Sequence, residues 1–178
     1  MFRTSLDGKR HIMTFLFADD LFGLAEEGVY VNEGQAVTAV TAYRIPVDAL
    51  DDLTGHEPLL DYSLLLKLIH ELREDQCHGL ILARHDTLGK IALFVRMLER
   101  LQNQRGEDAG EIYLPMRRSD IADYVGISLP AVSRTFRALT SRNIVRFSDR
   151  RHVQIVDRER FEALVLDDEI PDTDGQSR

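Results

Sequence analysis

Residues 114–156 constrain this 178-residue chain more than any other stretch. Residues 118–124 read as a short helix, with Ser119 placed to cap it and Ile121, Ala122 and Val125 apolar. Gly126 follows where a helix closes in a left-handed residue, a conformation glycine takes without steric cost. Ser128 then caps a second helix over residues 129–139, and Pro130 is tolerated there because first-turn amides need no intrahelical acceptor. In that helix Val132, Phe136 and Leu139 fall on the inward side, and Ala131, Ser133, Arg134 and Arg137 on the outward side. Two short helices joined by a tight glycine turn form a helix-turn-helix. Two apolar strands, residues 144–147 and 153–156, follow around Ser148-Asp149-Arg150-Arg151 and make a wing that carries Arg150 and Arg151.

These residue types suit one chemistry. A guanidinium is a planar fork that matches the two acceptors on the major-groove edge of guanine. Serine bonds a base or a phosphate, and a helix start attracts phosphate. The net charge of −8 argues against a polyanion, but its distribution argues for one. Residues 115–160 hold ten Arg and no Lys against five acids, a local +5 that leaves −13 elsewhere. Local positive charge matters more to a phosphate surface than the molecular total. The competing reading is a winged helix used for protein contacts, with solvated surface arginines.

Upstream the period changes twice. Residues 2–6 and 12–17 flank Asp7-Gly8, a hairpin signal, and residues 35–45 read as a further strand ending at Pro46. Asp19-Asp20 lies in a loop. From residue 59 to 82 a helical stripe of Leu65, Leu68, Leu72, Asp75 and Gly79 appears, with Ile69 and Gln76 beside it. It reads either as a seam between two identical helices or as an ordinary core-facing helix; in a seam, the two Asp75 carboxylates would repel and make pairing conditional. A second helix spans residues 87–104, capped by Asp86 or Thr87, with Ile91, Leu93 or Phe94, Leu98 and Leu101 apolar. Residues 105–110 are a polar connector, and residues 167–178 an acidic tail expected to lack order.

Other classes are disfavoured. A hydrophobic content of 44% fits a globular chain, and no apolar run reaches the length of a membrane span. The single cysteine, Cys77, and the absence of a signal-peptide core fit the cytoplasm. Asp19-Asp20, Asp51-Asp52 and the histidines form no nucleophile–base or metal-ligand pattern, so an enzyme is not expected. His70 and His78 do not face one way with Cys77, and no metal is expected.

The sequence resembles the Crp–Fnr family of bacterial regulators up to about residue 166. The resemblance rests on Phe17-Ala18-Asp19-Asp20-Leu21-Phe22-Gly23-Leu24, on Ile45-Pro46-Val47-Asp48-Ala49-Leu50-Asp51-Asp52-Leu53 and on Leu114-Pro115-Met116-Arg117-Arg118-Ser119-Asp120-Ile121-Ala122-Asp123-Tyr124-Val125-Gly126 with Val132-Ser133-Arg134. It is similar to the Fnr and FixK branches in particular. The resemblance implies an α+β chain with a partial, cupin-like β-roll sensor domain (1–57), a long dimerisation helix and the helix after it (58–104), and a winged helix-turn-helix (105–166) ahead of the tail (167–178).

It further implies a homodimer on a palindrome of double-stranded DNA. Leu65, Leu68 and Leu72 would lie in the dimer seam, Ser133 and Arg134 would reach bases, and Arg118, Ser119 and Ser128 would hold phosphates. RNA polymerase would be a partner if the chain activates.

Four departures qualify that reading. Strands that precede the hairpin in the family are not present ahead of Met1, so an exposed sheet edge and low solubility are expected. No Arg stands ready for a cyclic phosphate near Phe22-Gly23-Leu24-Ala25-Glu26-Glu27 or Gln35-Ala36-Val37, so cyclic AMP is not expected. Tyr43 stands where the late cysteine ligand of iron–sulfur members falls, and no cofactor is expected. Pro130 stands where Fnr and FixK types carry Glu, which shifts the base preference beside Arg134. The rival function is a truncated dimerisation partner that modulates full-length relatives.

Overall fold

The chain divides into two compact units, Met1–Leu80 and Ile81–Arg178. The structure is a computed structural model that describes residues 1–23, 29–54, 56–106 and 110–166. The acidic tail, Glu107 to Ala109 of the connector, and Leu24 to Glu27 of the candidate nucleotide segment lie outside the described residues.

The first unit opens on the expected hairpin. Strands β1 (Phe2–Thr4) and β2 (Arg10–Ile12) pair antiparallel, with Phe2 opposite Ile12 and Thr4 opposite Arg10. The Asp7 carboxylate accepts from the Ser5 hydroxyl and the Lys9 amide, and Ser5 N bonds Lys9 O at 2.9 Å. The loop spans residues 5–9, two residues earlier than expected, so the second strand begins at Arg10, and each strand is three residues long.

The strand expected over residues 35–45 is not formed. Among the described residues the backbone there has no ladder partner; the nearest pairing is a bridge between Phe2 and Glu33. A β-favouring composition makes a strand only where another strand offers its N–H and C=O groups.

Past Pro46 the chain turns into α1 (Val47–Thr54), a helix the sequence reading did not anticipate, in which Leu50 N bonds Pro46 O at 3.1 Å. The Asp19-Asp20 pair forms a turn, with the Asp20 carboxylate accepting from Phe17 N at 2.8 Å. Helix α2 (Pro58–Ala83) holds 26 residues, about 39 Å at 1.5 Å per residue. Its Lys67 donates to Asp19 O and sits 3.6 Å from the Asp20 carboxylate, tying the turn to the helix. Ile12 is the one buried apolar side chain of this unit among the described residues.

The second unit has a proper core built on α3 (Thr87–Gln104), whose bounds match the expected helix. Asp86 is its N-cap and accepts from Gly89 N. Ile91, Phe94, Val95, Leu98 and Leu101 are buried. Against them pack α4 (Arg118–Val125), α5 (Leu129–Ser141), α6 (Arg158–Leu166) and the strand β3 (Ile112–Tyr113). Strands β4 (Val145–Phe147) and β5 (His152–Ile155) complete a sheet in the order β3-β5-β4. The third strand was missed: two residues are too few to show a period. Gln102 fixes it, its side-chain amide donating to Tyr113 O at 2.8 Å and accepting from Tyr113 N at 2.9 Å. Helix α3 lies in the same compact unit, Ile81–Arg178, as the elements that bury it.

Two buried cations close the helix ends of this unit. Lys90, 7% exposed, donates to Leu82 O at 2.9 Å and Val125 O at 3.2 Å, the last turns of α2 and α4. Helix C-termini leave carbonyls unsatisfied and carry partial negative charge, so one ammonium serves both. Burial lowers the Lys90 pKa from its ordinary value, and the Asp86 carboxylate opposes that shift. Arg84 likewise bonds Val165 O of α6 at 3.0 Å and the Asp86 carboxylate at 3.0 Å. Its guanidinium lies over Gly89, where a Cβ would sit about 2.5 Å from it, so a larger residue there would displace the Arg84 side chain.

Replacing Lys90 by Met leaves two buried carbonyls without donors and is expected to cost about 1–3 kcal/mol in urea unfolding. A change within about 0.5 kcal/mol, the range of an ordinary surface substitution, would refute this role. Gly126 ends α4 at φ 68°, and a Cβ there would stand 3.0 Å from a Leu82 methyl. Gly126→Ala is expected to cost about 1–2 kcal/mol for the left-handed backbone, with Gly126→Asn milder; equal losses for both would point to the methyl contact instead.

Candidate nucleic-acid interface

The interface is assembled from α4, α5 and the β4–β5 wing. Helix α4 begins at Arg118 as expected, but its cap differs: Arg117 is the N-cap and Ser119 lies half-buried inside the first turn. The reason is Asp120, whose carboxylate reaches back to accept from Arg117 N at 3.0 Å, the reciprocal half of a capping box. Gly126 then turns the chain in the left-handed conformation the sequence called for, and its N–H bonds Ala122 O.

Ser128 caps α5 as expected, its hydroxyl oxygen accepting from Ala131 N at 3.3 Å. Pro130 takes the second helical position. Val132, Thr135, Phe136 and Leu139 are buried and fasten the helix to the core. Opposite them Pro130, Ser133, Arg134 and Arg137 are exposed at spacings of three and four residues, one continuous ridge, with Ala131 half-buried at its flank. Among the described residues, the guanidiniums of Arg134, Arg137 and Arg150 make no hydrogen bond or ion pair. An exposed, unpaired charge, on α5 for Arg134 and Arg137 and on the wing for Arg150, is free to engage an external acceptor.

Arg118 is placed differently from the other arginines. Its guanidinium stacks 3.9 Å from the centre of the Phe136 ring and 4.9 Å from that of Phe147. The two rings meet edge to face at 5.4 Å, so Arg118 joins α4, α5 and the wing through cation–π contacts. Its Nη1 is buried without a hydrogen-bond partner, and burial lowers its pKa. Arginine stays charged under such a shift. It therefore supplies fixed positive charge at the junction.

The wing tip is organised by Asp149, a residue to which the sequence reading gave no role. Its carboxylate accepts from Arg151 N at 2.6 Å, from His152 N at 2.8 Å and from the His152 ring at 2.8 Å. The backbone bond to Arg151 is foremost in holding the Asp149 pKa down to about 2. An aspartate followed by two unpaired amides is the usual signal for such a turn. The His152 ring stacks on Tyr113 at 5.0 Å, and Arg151 donates to the Tyr113 hydroxyl at 3.4 Å, while Arg150 projects freely. Arg146 is tied across the strands to Gln154 at 2.7 Å.

In the first unit the stripe on α2 is open. Leu65, Leu68 and Leu72 are 53%, 48% and 59% exposed, Asp75 and Gly79 are exposed, and a Cβ at Gly79 would meet nothing within 4 Å. Leu68 also lines a small recess with Leu21, Leu50 and Leu64, so it belongs partly to the inner side. Ile69 and Tyr62 extend the exposed stripe, while Cys77 is half-buried on the same helix. Among the described residues no group of His, Cys, Asp and Glu is arranged to hold a metal ion.

Comparison with known proteins agrees with this geometry. Residues 89–164 match the model of the Crp-like helix-turn-helix domain, a range that begins in α3 and ends in α6. The chain is 32% identical over 129 residues to the fumarate and nitrate reduction regulatory protein of Salmonella typhi, covering 71% of this chain and 52% of that one. It is 31% identical over 132 residues to the anaerobic regulatory protein of Haemophilus influenzae, covering 73% and 51%. Thus the chain spans about half the length of these relatives. Among solved structures it superposes on FixK2 from Bradyrhizobium japonicum with a TM-score of 0.72 and 27% identity, covering 92% of this chain and 80% of that one. A CooA variant from Carboxydothermus hydrogenoformans shares the fold at a TM-score of 0.57, with 14% identity over 67% of this chain and 55% of that one. From the winged helix outward, then, this chain belongs to the Crp–Fnr family of transcription regulators.

Proposed function

We propose that this chain is a sequence-specific DNA-binding regulator in which two copies pair along α2 and present two α5 helices to a palindromic site. The observation that carries the reading is the α5 ridge. A helix anchored by Val132, Phe136 and Leu139 holds Ser133, Arg134 and Arg137 outward, with both exposed guanidiniums unpaired. Arg134 is in position to take guanine, with Ser133 beside it. Ser119, Ser128, Arg150 and Arg151 flank the ridge as phosphate contacts, and Arg118 contributes charge from between its two rings. The local +5 of residues 115–160 supplies the attraction that any sequence of duplex feels.

The pairing of two copies is supported by the open stripe of Leu65, Ile69 and Leu72, apolar surface that a second α2 would remove from water. Asp75 lies toward the end of that stripe, where two copies would bring like charges together. No described helix is long and apolar enough to cross a membrane, and we place the chain in the cytoplasm with its DNA. Where it activates, RNA polymerase is its further partner. The same open stripe supports a second reading, a dimerisation partner that captures full-length relatives; subunit exchange on mixing with such a relative would favour it.

The deciding measurement is binding of the purified chain to a labelled Fnr-type palindrome and to a scrambled duplex at two salt concentrations. Tighter binding to the palindrome that weakens as salt rises is expected; equal binding to both overturns the reading. Arg134→Ala is expected to cost about 1–3 kcal/mol on the preferred site and to relax the choice of base there. Arg150→Ala, by contrast, should weaken binding to every sequence alike and lower the salt slope by about one. Leu72→Asp is expected to leave a monomer in sedimentation, and an unchanged dimer would remove α2 from the interface.

A further inference from the structure

The exit of α6 and the entry of α5 lie at the same end of α3. The Val165 carbonyl in the last turn of α6 accepts from the Arg84 guanidinium at 3.0 Å, and that guanidinium lies over Gly89 in the first turn of α3. The next residue, Lys90, donates to Val125 O at 3.2 Å, four residues before α5 begins at Leu129. Twelve residues follow Leu166, and Asp167, Asp168, Glu169, Asp172 and Asp174 give them five carboxylates against one guanidinium, that of Arg178. Fully extended, twelve residues reach about 40 Å, whereas α5 with its 13 residues is about 20 Å long. Half of that reach suffices to run along α5, and the other half is left for crossing to it.

The cations nearest the start of this segment are already neutralised. Arg96 pairs with Glu162, Arg158 with Glu99 and Arg160 with Asp157. On the ridge the position is reversed: Arg134 and Arg137 on α5 and Arg150 on the wing are exposed, and among the described residues their guanidiniums make no hydrogen bond or ion pair. A guanidinium takes a carboxylate with the same paired N–H donors that it offers a phosphate. We infer that residues 167–178 fold back over the α5 ridge and occupy it when DNA is absent, their carboxylates standing in for backbone phosphates.

Exposed ion pairs of this kind are individually weak and screened by salt. Tethering compensates, because a short linker holds the segment at an effective concentration in the millimolar range. On the DNA-reading function proposed above, on which this rests, a duplex must displace the segment before it binds. Carboxylates hold the ridge without regard to base sequence, so displacement lowers affinity by one factor for every duplex. The ratio between palindrome and scrambled duplex is untouched, while loose occupancy of other sequences falls.

The test compares the full chain with a neutralised one (Asp167→Asn, Asp168→Asn, Glu169→Gln, Asp172→Asn and Asp174→Asn) and with a chain ended after Leu166. At low salt both variants are expected to bind the palindrome and the scrambled duplex about tenfold more tightly than the full chain does. Their affinity should also fall more steeply as salt rises and converge with that of the full chain, because the segment's hold on the ridge weakens with salt alongside that of DNA. A direct readout needs no DNA: a spin label on Ser177→Cys, in a chain with Cys77→Ser, should broaden the amide signals of Ser133, Arg134 and Arg137 at low salt and release them at high salt.

Equal affinity of all three chains, a gain that persists at high salt, or ridge signals left sharp by the label would each overturn the inference. Broadening that salt relieves, in a chain that shows no preference for any duplex, leaves the fold-back standing and removes the sequence-reading function instead.

Discussion

Burial of one side of α3 is the interaction on which the second unit depends. Ile91, Phe94, Val95 and Leu98 are withdrawn from water completely, and α4, α5, α6 and β3 all find their places against them. At roughly 1.5–3 kcal/mol for each large side chain buried, these residues dominate the unit's stability. Surface ion pairs across α3 and α6, such as Arg158 with Glu99 and Glu162, add little by comparison because Arg158 is 55% exposed. Lys90 and Arg84 act differently: they are buried and satisfy helix-terminal carbonyls that otherwise have no partner.

Because the core is rigid, the interface built on it can be specific. A recognition ridge is only as well aimed as the helix that carries it, and α5 is held by four buried side chains in thirteen residues. Arg118 extends that rigidity sideways. Lying between Phe136 of α5 and Phe147 of β4, it couples the angle of the wing to that of the helix. Asp149 then freezes the tip, so that Arg150 alone of the two tip arginines is left unpaired.

The first unit follows an opposite pattern. Ile12 apart, its described apolar residues are half-buried or exposed, and Val37, Val40 and Tyr43 lie open on a segment without a ladder. Helix α2 is apolar on two sides: Leu60 and Leu64 face inward, and Leu65, Ile69 and Leu72 face outward. A helix of this kind buries one side within its own unit and leaves the other for further contacts. The unit therefore has apolar surface in excess of what its own described elements cover.

Local signals in the sequence were enough for every element whose evidence is local. The bounds of α3, the cap at Asp86, the left-handed Gly126, the Ser128 cap and the inward set Val132, Phe136 and Leu139 follow from periodicity and from the sterics of single residues. The outward set on α5 and the hairpin at Asp7-Gly8 were legible for the same reason. Only the tertiary structure could decide what depends on a distant partner. Residues 35–45 have strand composition but no strand beside them, and β3 exists because β5 and Gln102 receive it. The cap of α4 is Arg117 rather than Ser119, with the Asp120 carboxylate reaching back to its amide, and chain geometry decided that. Arg118 reads in sequence like the other arginines; two rings, 18 and 29 residues away along the chain, set it apart. Periodicity and caps are properties of neighbours in the chain, whereas pairing and burial are properties of neighbours in space, and only folding brings those together.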